Sequence, residues 1–427
     1  MSDRTAKLTY DGGEIEFPIV SGSEGSDGID ISRLRAETGM IALDYGFGNT
    51  AATRSGVSYV DGEAGELRYR GYRIEDLAEH STFLEVAYLL FHGELPSADA
   101  LAAYTTSITN HPLLNEEMKR LFDAFPKRAH PMAILSSATN AMATFYPDFH
   151  NPTDPYAVEQ SALRLIAKLP TVAAFAYKKS IGQPYVYPHN DLSYTENFLS
   201  MMFALPVADY EVDPVVARAL DVLLILHADH SQNCSTSAVR LVGSSQANLF
   251  TSVAAGMSAL WGPLHGGANQ RVVEMLSQIN EDGRDYKRYI DKAKDADDPF
   301  RLWGFGHRVY KNYDPRARIL KNFADDVMER MGGDDPLLDI ARKLEEHALS
   351  DDYFISRNLY PNVDFYAGLV YRALGFPTRM FTVLFAIGRL PGWIAQWKEM
   401  SEDPDTRIGR PRQVYDGSPT RDLPTKR

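Results

Sequence analysis

From about residue 70 onward the chain repeats one pattern, in which long stretches with apolar side chains at helical spacing are separated by prolines and glycines. The stretches at 98–109, 131–146, 160–177 and 215–228 are the clearest of these. A chain punctuated in this way is expected to build a mainly α-helical body. Its 427 residues exceed an ordinary single core, so more than one domain is expected. Residues 1–60 read differently: short alternating pieces such as Leu8-Thr9-Tyr10 and Ile15-Glu16-Phe17 are separated by Gly12-Gly13 and by the Gly/Ser/Asp run from Ser21 to Gly28. They suggest a small β-rich N-terminal segment.

Two helices can be placed with their ends. Asp335 is a candidate N-cap and Pro336 the first helical residue, with Leu337, Ile340, Ala341, Leu344 and Ala348 forming one apolar face. A second helix follows Gly266-Gly267, carries Val272, Met275, Leu276 and Ile279 at packing spacing, and ends near Glu281-Asp282-Gly283. Polar stretches at 281–299 and 331–336 interrupt the helical body and suggest a subdomain over 268–375. The last 27 residues hold six Lys or Arg, five Asp or Glu and four prolines without periodicity. They read as a loose tail or as an extended arm packing onto a partner. No internal repeat sets the architecture.

Charge and cysteine content narrow the function classes. With 44 basic against 57 acidic residues the formal charge is −13, a net field that repels duplex nucleic acid. Cys234 is the single cysteine, which excludes an intrachain disulfide and any Cys-rich zinc or iron–sulfur site. The start MSDRTAKLTYDGG lacks a secretory apolar core, and no run is long and apolar enough to span a membrane. A cytoplasmic enzyme of bacterial type is the expectation.

Four histidine-bearing segments carry candidate chemistry: Leu226-His227-Ala228-Asp229-His230, Gly262-Pro263-Leu264-His265-Gly266-Gly267, Gly304-Phe305-Gly306-His307-Arg308, and His130-Pro131. Histidine moves protons near neutral pH, and adjacent glycines let a ligand approach the main chain. His265 is either a satisfied turn histidine or a catalytic group at a helix start, where free N–H groups favour an anion. His307 is accompanied by Arg308, Lys311 and Arg316, a cationic cluster in an acidic chain that serves a ligand or is a solvated face. In 227–230 a helical setting would put both histidines on similar sides, one packed and one facing a ligand; the spacing is not that of a zinc motif.

Asp364 follows Tyr360-Pro361-Asn362-Val363 and precedes an apolar, aromatic run, so it is a helix N-terminal carboxylate or a general base held in a partly dry environment. Arg389 closes the apolar segment 381–388, and Arg410 and Arg412 flank Pro411 in the tail. Such an arginine pairs with an anion or reaches solvent, and its planar fork suits a carboxylate. Dinucleotide, P-loop and nucleophile-elbow motifs are missing, which points to chemistry done by acids, bases and arginines without a cofactor. The tryptophans Trp261, Trp303, Trp393 and Trp397 are assigned to packing.

At these residues the chain resembles citrate synthase, in the bacterial form with an added β-rich N-terminal segment. The resemblance is carried by LHADHSQN at 226–233, WGPLHGGAN at 261–269, GFGHRVYKNYDPRA at 304–317, YPNVDFY at 360–366 and RPRQVY at 410–415, in order and across essentially the whole chain. It implies a large helical domain (61–267, completed by 376–427 with the C-terminal arm) interrupted by a smaller helical domain (268–375) that closes over substrate. It further implies condensation of acetyl-CoA with oxaloacetate, then hydrolysis of citryl-CoA to citrate and CoA. Matched motif to motif, Asp364 is the base, His265 its partner at the thioester, and His307 the group at the oxaloacetate carbonyl. His230, Arg316, Arg389 and Arg410 surround the oxaloacetate carboxylates, with Arg410 supplied by another subunit, so a homodimer is the minimum unit and a hexamer stays open. Trp303, Gly304, Phe305, Gly306 and Lys311 are expected near CoA. Neither metal nor cofactor is implied, acetyl-CoA being a substrate.

Some bacterial members are hexamers inhibited by NADH. Asn110 stands where that pattern has an arginine and Val207 where it has a cysteine, which weakens the case for such control here. Three other readings compete: 2-methylcitrate synthase, which uses propionyl-CoA with the same base and histidine; a noncatalytic helical binding protein; and a metal hydrolase built on His227, Asp229 and His230. One methylene separates the first from acetyl-CoA chemistry, worth about 1–3 kcal/mol of discrimination.

Overall fold

The computed structural model describes residues 4–330 and 335–423. They divide into two units: residues up to Ser55 together with those from Gly409, and Gly56–Ile408.

In the first unit, Thr5–Tyr10 and Gly13–Val20 form an antiparallel hairpin in which Tyr10 faces Gly13, so Asp11 and Gly12 make the two-residue turn. Gly28–Ile29 adds a third strand. Alternation follows the pleat: Ile15 and Phe17 are buried while Glu14 and Glu16 are exposed. A one-turn helix, Leu34–Thr38, follows. Residues 409–423 form no regular element.

The second unit is mainly helical, as the repeated pattern requires. Its only sheet among the described residues is small and antiparallel, Ser58–Asp61, Glu66–Tyr69 and Tyr72–Arg73, and lies across the expected boundary at residue 60. The four clearest periodic stretches become the helices Ala98–Thr109, Pro131–Met142, Pro155–Ile181 and Pro214–His227. Three of these four begin with proline at the first helical positions, where its missing N–H costs nothing. At the predicted start, the Asp335 carboxylate accepts the Leu337 N–H at 2.9 Å, and Pro336–Ser350 buries Leu337, Ile340, Ala341, Leu344 and Ala348. The helix after Gly267 runs Ala268–Glu281.

One expectation fails. Within the stretch 281–299, read as a break, lies the helix Tyr286–Lys294, capped by Asp285 and buried through only Tyr289 and Ile290. Two apolar positions among lysines and aspartates leave too little periodic signal to read as a helix. Of the other stretch, 331–336, residues 331–334 lie outside the described residues.

The core is organised around the helix Phe381–Glu402, of which all but its last turns are buried, including Trp393 and Trp397. It packs against Pro214–His227, Cys234–Gly243, Leu249–Leu260 and Phe83–His92. Gly392 permits the closest approach: a Cβ there would sit 2.1 Å from the Ala228 carbonyl oxygen. That approach brings Arg389 against the C-terminal end of Pro214–His227, which is how a core helix comes to present a guanidinium to the site. No described helix is long and apolar enough to cross a membrane.

Candidate active site

Two of the sequence motifs are laced together by their main chains. Gly306 N–H donates to the Tyr360 carbonyl at 2.8 Å, Asn362 N–H to the Gly304 carbonyl at 2.9 Å, and the Asn362 side-chain amide to the Gly306 carbonyl at 2.8 Å. Phe305 and Pro361 form a β-bridge. Asn362 also caps the helix Val363–Ala373 by accepting the Asp364 N–H at 3.0 Å. The loop carrying His307 and the helix start carrying Asp364 are therefore one construction.

Asp314 ties the next helix to the same point. Its carboxylate holds Arg316 in a two-toothed pair (Nε to Oδ1 3.0 Å, Nη2 to Oδ2 2.9 Å) and accepts the Val363 N–H at 3.0 Å. Both side chains are buried. Burial opposes ionisation of Asp314, but Arg316 and the hydrogen bonds outweigh it and hold the carboxyl below its ordinary value. Burial likewise opposes the Arg316 charge, and Asp314 more than restores it.

The ring nitrogens of the two candidate catalytic histidines are committed in opposite senses. His307 Nδ1 accepts the main-chain N–H groups of Val309 (3.0 Å) and Tyr310 (3.1 Å), so in the neutral ring the proton is on Nε2. His265 Nε2 accepts the Ser235 N–H at 3.2 Å and lies 2.9 Å from the Ser235 hydroxyl, so its proton is on Nδ1. Desolvation by burial, aided by Arg389 at His265 and by Arg316 at His307, brings both down to about 4. Each ring is thus neutral near pH 7, with its one N–H free to donate.

Around them, His230 is buried, its Nε2 3.2 Å from the Tyr310 hydroxyl and its ring 5.3 Å from that of His307. Desolvation first, then Arg316, His307 and Arg389, hold it neutral. Arg389 is 1% exposed; its Nε donates to the His227 carbonyl at 2.6 Å and its Nη1 has no partner. Asp364 Oδ1 is likewise enclosed without a partner, and desolvation, opposed by Arg316 and Arg389 and aided by Asp314, pushes its carboxyl up to about 6. A buried guanidinium with an unspent donor, and three neutral histidines, suit an anion that supplies the missing acceptor.

Of the other candidates, Gly304 is buried, Trp303, Phe305 and Gly306 are half-buried and Lys311 is exposed. The Arg271 guanidinium lies 5.9 Å over the Trp303 ring, and the Phe305 ring packs on Phe365 at 4.6 Å. Arg410 lies in the other unit and is exposed. The 227–230 segment differs from expectation: the helix ends at His227, so the two histidines are not one helical face. His227 is the packed one, its Nδ1 donating to Leu223 O at 2.6 Å. Trp393 and Trp397 pack as expected, whereas Trp261 is 43% exposed and stacks on His130 at 5.1 Å.

Sequence reasoning missed Ser235, Tyr310 and Asp314 as individual residues. Ser235 sits 30 positions before its histidine partner, and nothing but the helix start after Asn233 marks it. Asp314 and Tyr310 do fall inside the His307 motif, where a buried carboxylate two residues before an arginine is the signal that was available.

A helical protein that gathers an enclosed carboxyl, neutral histidines and a buried arginine with an unspent donor has, by class, the groups of an acid–base enzyme for an anionic substrate. The family model described as "Citrate synthase, C-terminal domain" matches residues 46–412. Citrate synthase 1 of Mycobacterium tuberculosis is 60% identical over 424 residues, covering 99% of this chain and 98% of the relative. Among solved structures, citrate synthase from Pyrobaculum aerophilum matches with TM-score 0.81 and 35% identity, over 98% of this chain and 97% of that one. The ternary complex of carboxymethyl coenzyme A and oxaloacetate with citrate synthase from Thermoplasma acidophilum matches with TM-score 0.80 and 29% identity, over 90% and 98%. The chain belongs to the citrate synthase family.

Proposed function

We propose that the chain condenses acetyl-CoA with oxaloacetate and hydrolyses the resulting citryl-CoA to citrate and CoA. The observation that carries this is the pairing of an enclosed carboxyl raised to about 6 with two neutral histidines whose N–H groups are unspent.

Each group has a task. A thioester methyl proton is weakly acidic, so Asp364 removes it while His265 Nδ1–H donates to the carbonyl oxygen on which enolate charge develops. His307 Nε2–H donates to the ketone oxygen of oxaloacetate, making its carbon electrophilic and stabilising the alkoxide as the carbon–carbon bond forms. Neutral histidines suit this work because one ring nitrogen keeps accepting its main-chain N–H while the other donates to the substrate. Water then cleaves the thioester and releases CoA.

His230, Arg316 and Arg389 hold the two carboxylates of oxaloacetate, joined by the partner subunit's Arg410, so a homodimer is the smallest working unit. Trp303, Gly304, Phe305, Gly306 and Lys311 receive CoA, and residues 268–375 close as a smaller domain over it, excluding water from the enolate. The reaction needs no cofactor or metal, and its place is the cytoplasm. The ligands named in the Thermoplasma complex, a CoA derivative and oxaloacetate, support the substrate pair.

The test is a steady-state assay with oxaloacetate and either acetyl-CoA or propionyl-CoA, with the product identified. Citrate formation with the larger kcat/KM for acetyl-CoA is expected. A larger kcat/KM for propionyl-CoA would overturn the substrate assignment, and no CoA release with either would overturn the reaction.

A further inference from the structure

The loop that carries His307 is gripped from a second side. Residues 62–65 form the turn between the strands Ser58–Asp61 and Glu66–Tyr69, and this turn lies against residues 309–313. Lys311 N–H donates to the Gly62 carbonyl at 2.9 Å, and the Asn312 side-chain amide reaches the Glu63 carbonyl at 3.5 Å. A Cβ at Gly62 would lie 2.2 Å from the Val309 carbonyl oxygen and 2.8 Å from the carbonyl carbon, and one at Gly65 would lie 3.0 Å from the Tyr313 carbonyl oxygen. The atoms met are main chain, so no change of rotamer makes room. Asp61 holds the turn in shape, its Oδ1 accepting the N–H groups of Glu63 at 3.0 Å and of Ala64 at 2.9 Å.

The consequence runs through one peptide unit. The carbonyl of Val309 and the N–H of Tyr310 belong to the same planar group and point in opposite directions. The oxygen faces Gly62, and the N–H donates to His307 Nδ1 at 3.1 Å. A push that tilts this plane at its oxygen therefore moves the donor at its other end. Together with Val309 N–H, at 3.0 Å, that donor keeps Nδ1 unprotonated and leaves the ring's proton on Nε2. Tyr310 is buried, with its ring 4.9 Å from that of His307 and its hydroxyl 3.2 Å from His230 Nε2, so its side chain anchors the same peptide from within the pocket.

We propose that Gly62 is a positioning residue for His307: having no side chain, it lets the 62–65 turn seat against the Val309–Tyr310 peptide and so fixes which nitrogen of the His307 ring presents a proton to substrate. The inference rests on the assignment of His307 to the ketone of oxaloacetate. Gly62 touches no reacting atom and acts through the peptide and then the ring. A larger residue would separate the turn from the loop at 309–310. Gly306 would stay where it is, because its N–H and carbonyl are held by Tyr360 and Asn362. The displacement would thus fall on the donors to Nδ1, and the ring would lose its orientation while the rest of the loop kept its place.

The test uses Gly62→Ala, Asp61→Ala and Asp61→Asn in the full chain. Kinetics with acetyl-CoA and oxaloacetate are measured beside the infrared stretching band of bound oxaloacetate, isotope-labelled at its ketone, which falls in frequency as a donor polarises the carbonyl. In the wild type this band should lie below that of free oxaloacetate. In Gly62→Ala the band should return most of the way to the free position and kcat should fall about tenfold or more, with KM for oxaloacetate within about threefold. Asp61→Ala frees the same turn without adding an atom and should move band and kcat the same way by less. Asp61→Asn keeps an acceptor oxygen and should restore both. An unmoved band in folded Gly62→Ala, whatever its kcat, would overturn the proposal, as would an unmoved band in Asp61→Ala where Gly62→Ala does not fold. A wild type that forms no citrate, or whose ketone band does not fall on binding, would instead defeat the underlying reading of the reaction or of His307.

Discussion

His265 Nε2 accepts the main-chain N–H of Ser235 at 3.2 Å, and this contact decides which nitrogen of the ring faces outward with a proton. The Ser235 hydroxyl lies 2.9 Å from the same nitrogen, donates to Asn233 Oδ1 at 2.7 Å and accepts the Trp393 indole N–H at 3.2 Å. Ser235→Ala keeps the main-chain donor to the ring but removes the hydroxyl packed against it, takes a donor from Asn233 Oδ1 and leaves the buried indole N–H without an acceptor. One such hydrogen bond is worth about 0.5–1.5 kcal/mol, so kcat should fall by several-fold to roughly tenfold. KM for oxaloacetate should hold, because Ser235 touches none of the groups assigned to its carboxylates. Equal losses in kcat and in oxaloacetate affinity would show that Ser235 supports the whole pocket rather than one ring.

The difference between Ser235 and His265 marks what a sequence discloses. His265, His307, Asp364 and Arg389 stand out as candidates in the sequence because imidazole, carboxylate and guanidinium in apolar or glycine-rich surroundings have few inexpensive structural uses. Ser235, Tyr310 and Asp314 act by orienting other residues, and their meaning depends on which element the fold brings beside them, as with the 30-residue separation of Ser235 from His265. The helices around the Phe381–Glu402 core were legible because burial on one side imposes a period. Tyr286–Lys294 was not, since two buried side chains impose almost none.

On the proposed assignment of Asp364 as base, this residue sets the pH dependence. As a base it works only when ionised, and burial places its carboxyl at about 6. The rate at low substrate should therefore rise with pH through about 6 and fall away below it, while His265 and His307, at about 4, are already neutral there. A profile of kcat/KM for acetyl-CoA checks this. An acid limb near the ordinary value of an aspartate would mean that solvent reaches the carboxylate.

Asp314 carries stability rather than chemistry. Asp314→Asn leaves Arg316 buried without its counter-charge, a change that costs about 3–5 kcal/mol when one member of such a pair is removed. Denaturant unfolding should report that loss. The sign with pH follows from the lowered carboxyl: the contribution of Asp314 is complete above the unfolded aspartate value of 3.8 and is lost as pH falls through its lower folded value. The variant should accordingly lack this part of the wild-type's acid-dependent loss.

Metal removal should have no effect on turnover. In the segment that most suggested a metal, His227 Nδ1 is spent on Leu223 O, and Asp229 accepts from the Ser58 hydroxyl at 2.5 Å and from Ser231 N–H at 3.1 Å. One side of each group is therefore committed to the fold. Citrate formation after exhaustive chelation should match the untreated enzyme, and activity restored only by an added divalent ion would reinstate the hydrolase-type alternative.

The glycines of the His307 loop should differ in how much they tolerate. Gly304 and Gly306 both have positive φ, +84° and +77°, so alanine at either is strained by about 1–2 kcal/mol before any contact is counted. At Gly306 the added Cβ meets only Leu359 Cδ2, at 2.9 Å, the far end of a side chain that can rotate. At Gly304 it meets Phe365 Cδ2 at 2.8 Å, Val272 Cγ2 at 2.9 Å and the Phe365 main chain at 3.0 Å. Phe365 directly follows Asp364 on the same helix, so relief of that clash moves the carboxylate proposed as base. Gly304→Ala should therefore lower kcat well beyond its effect on Tm, while Gly306→Ala should show mainly the backbone strain. A reversed order in kcat, measured beside thermal unfolding of both variants, would mean that the loop and the helix start yield independently and that their shared hydrogen bonds do not fix the distance from His307 to Asp364.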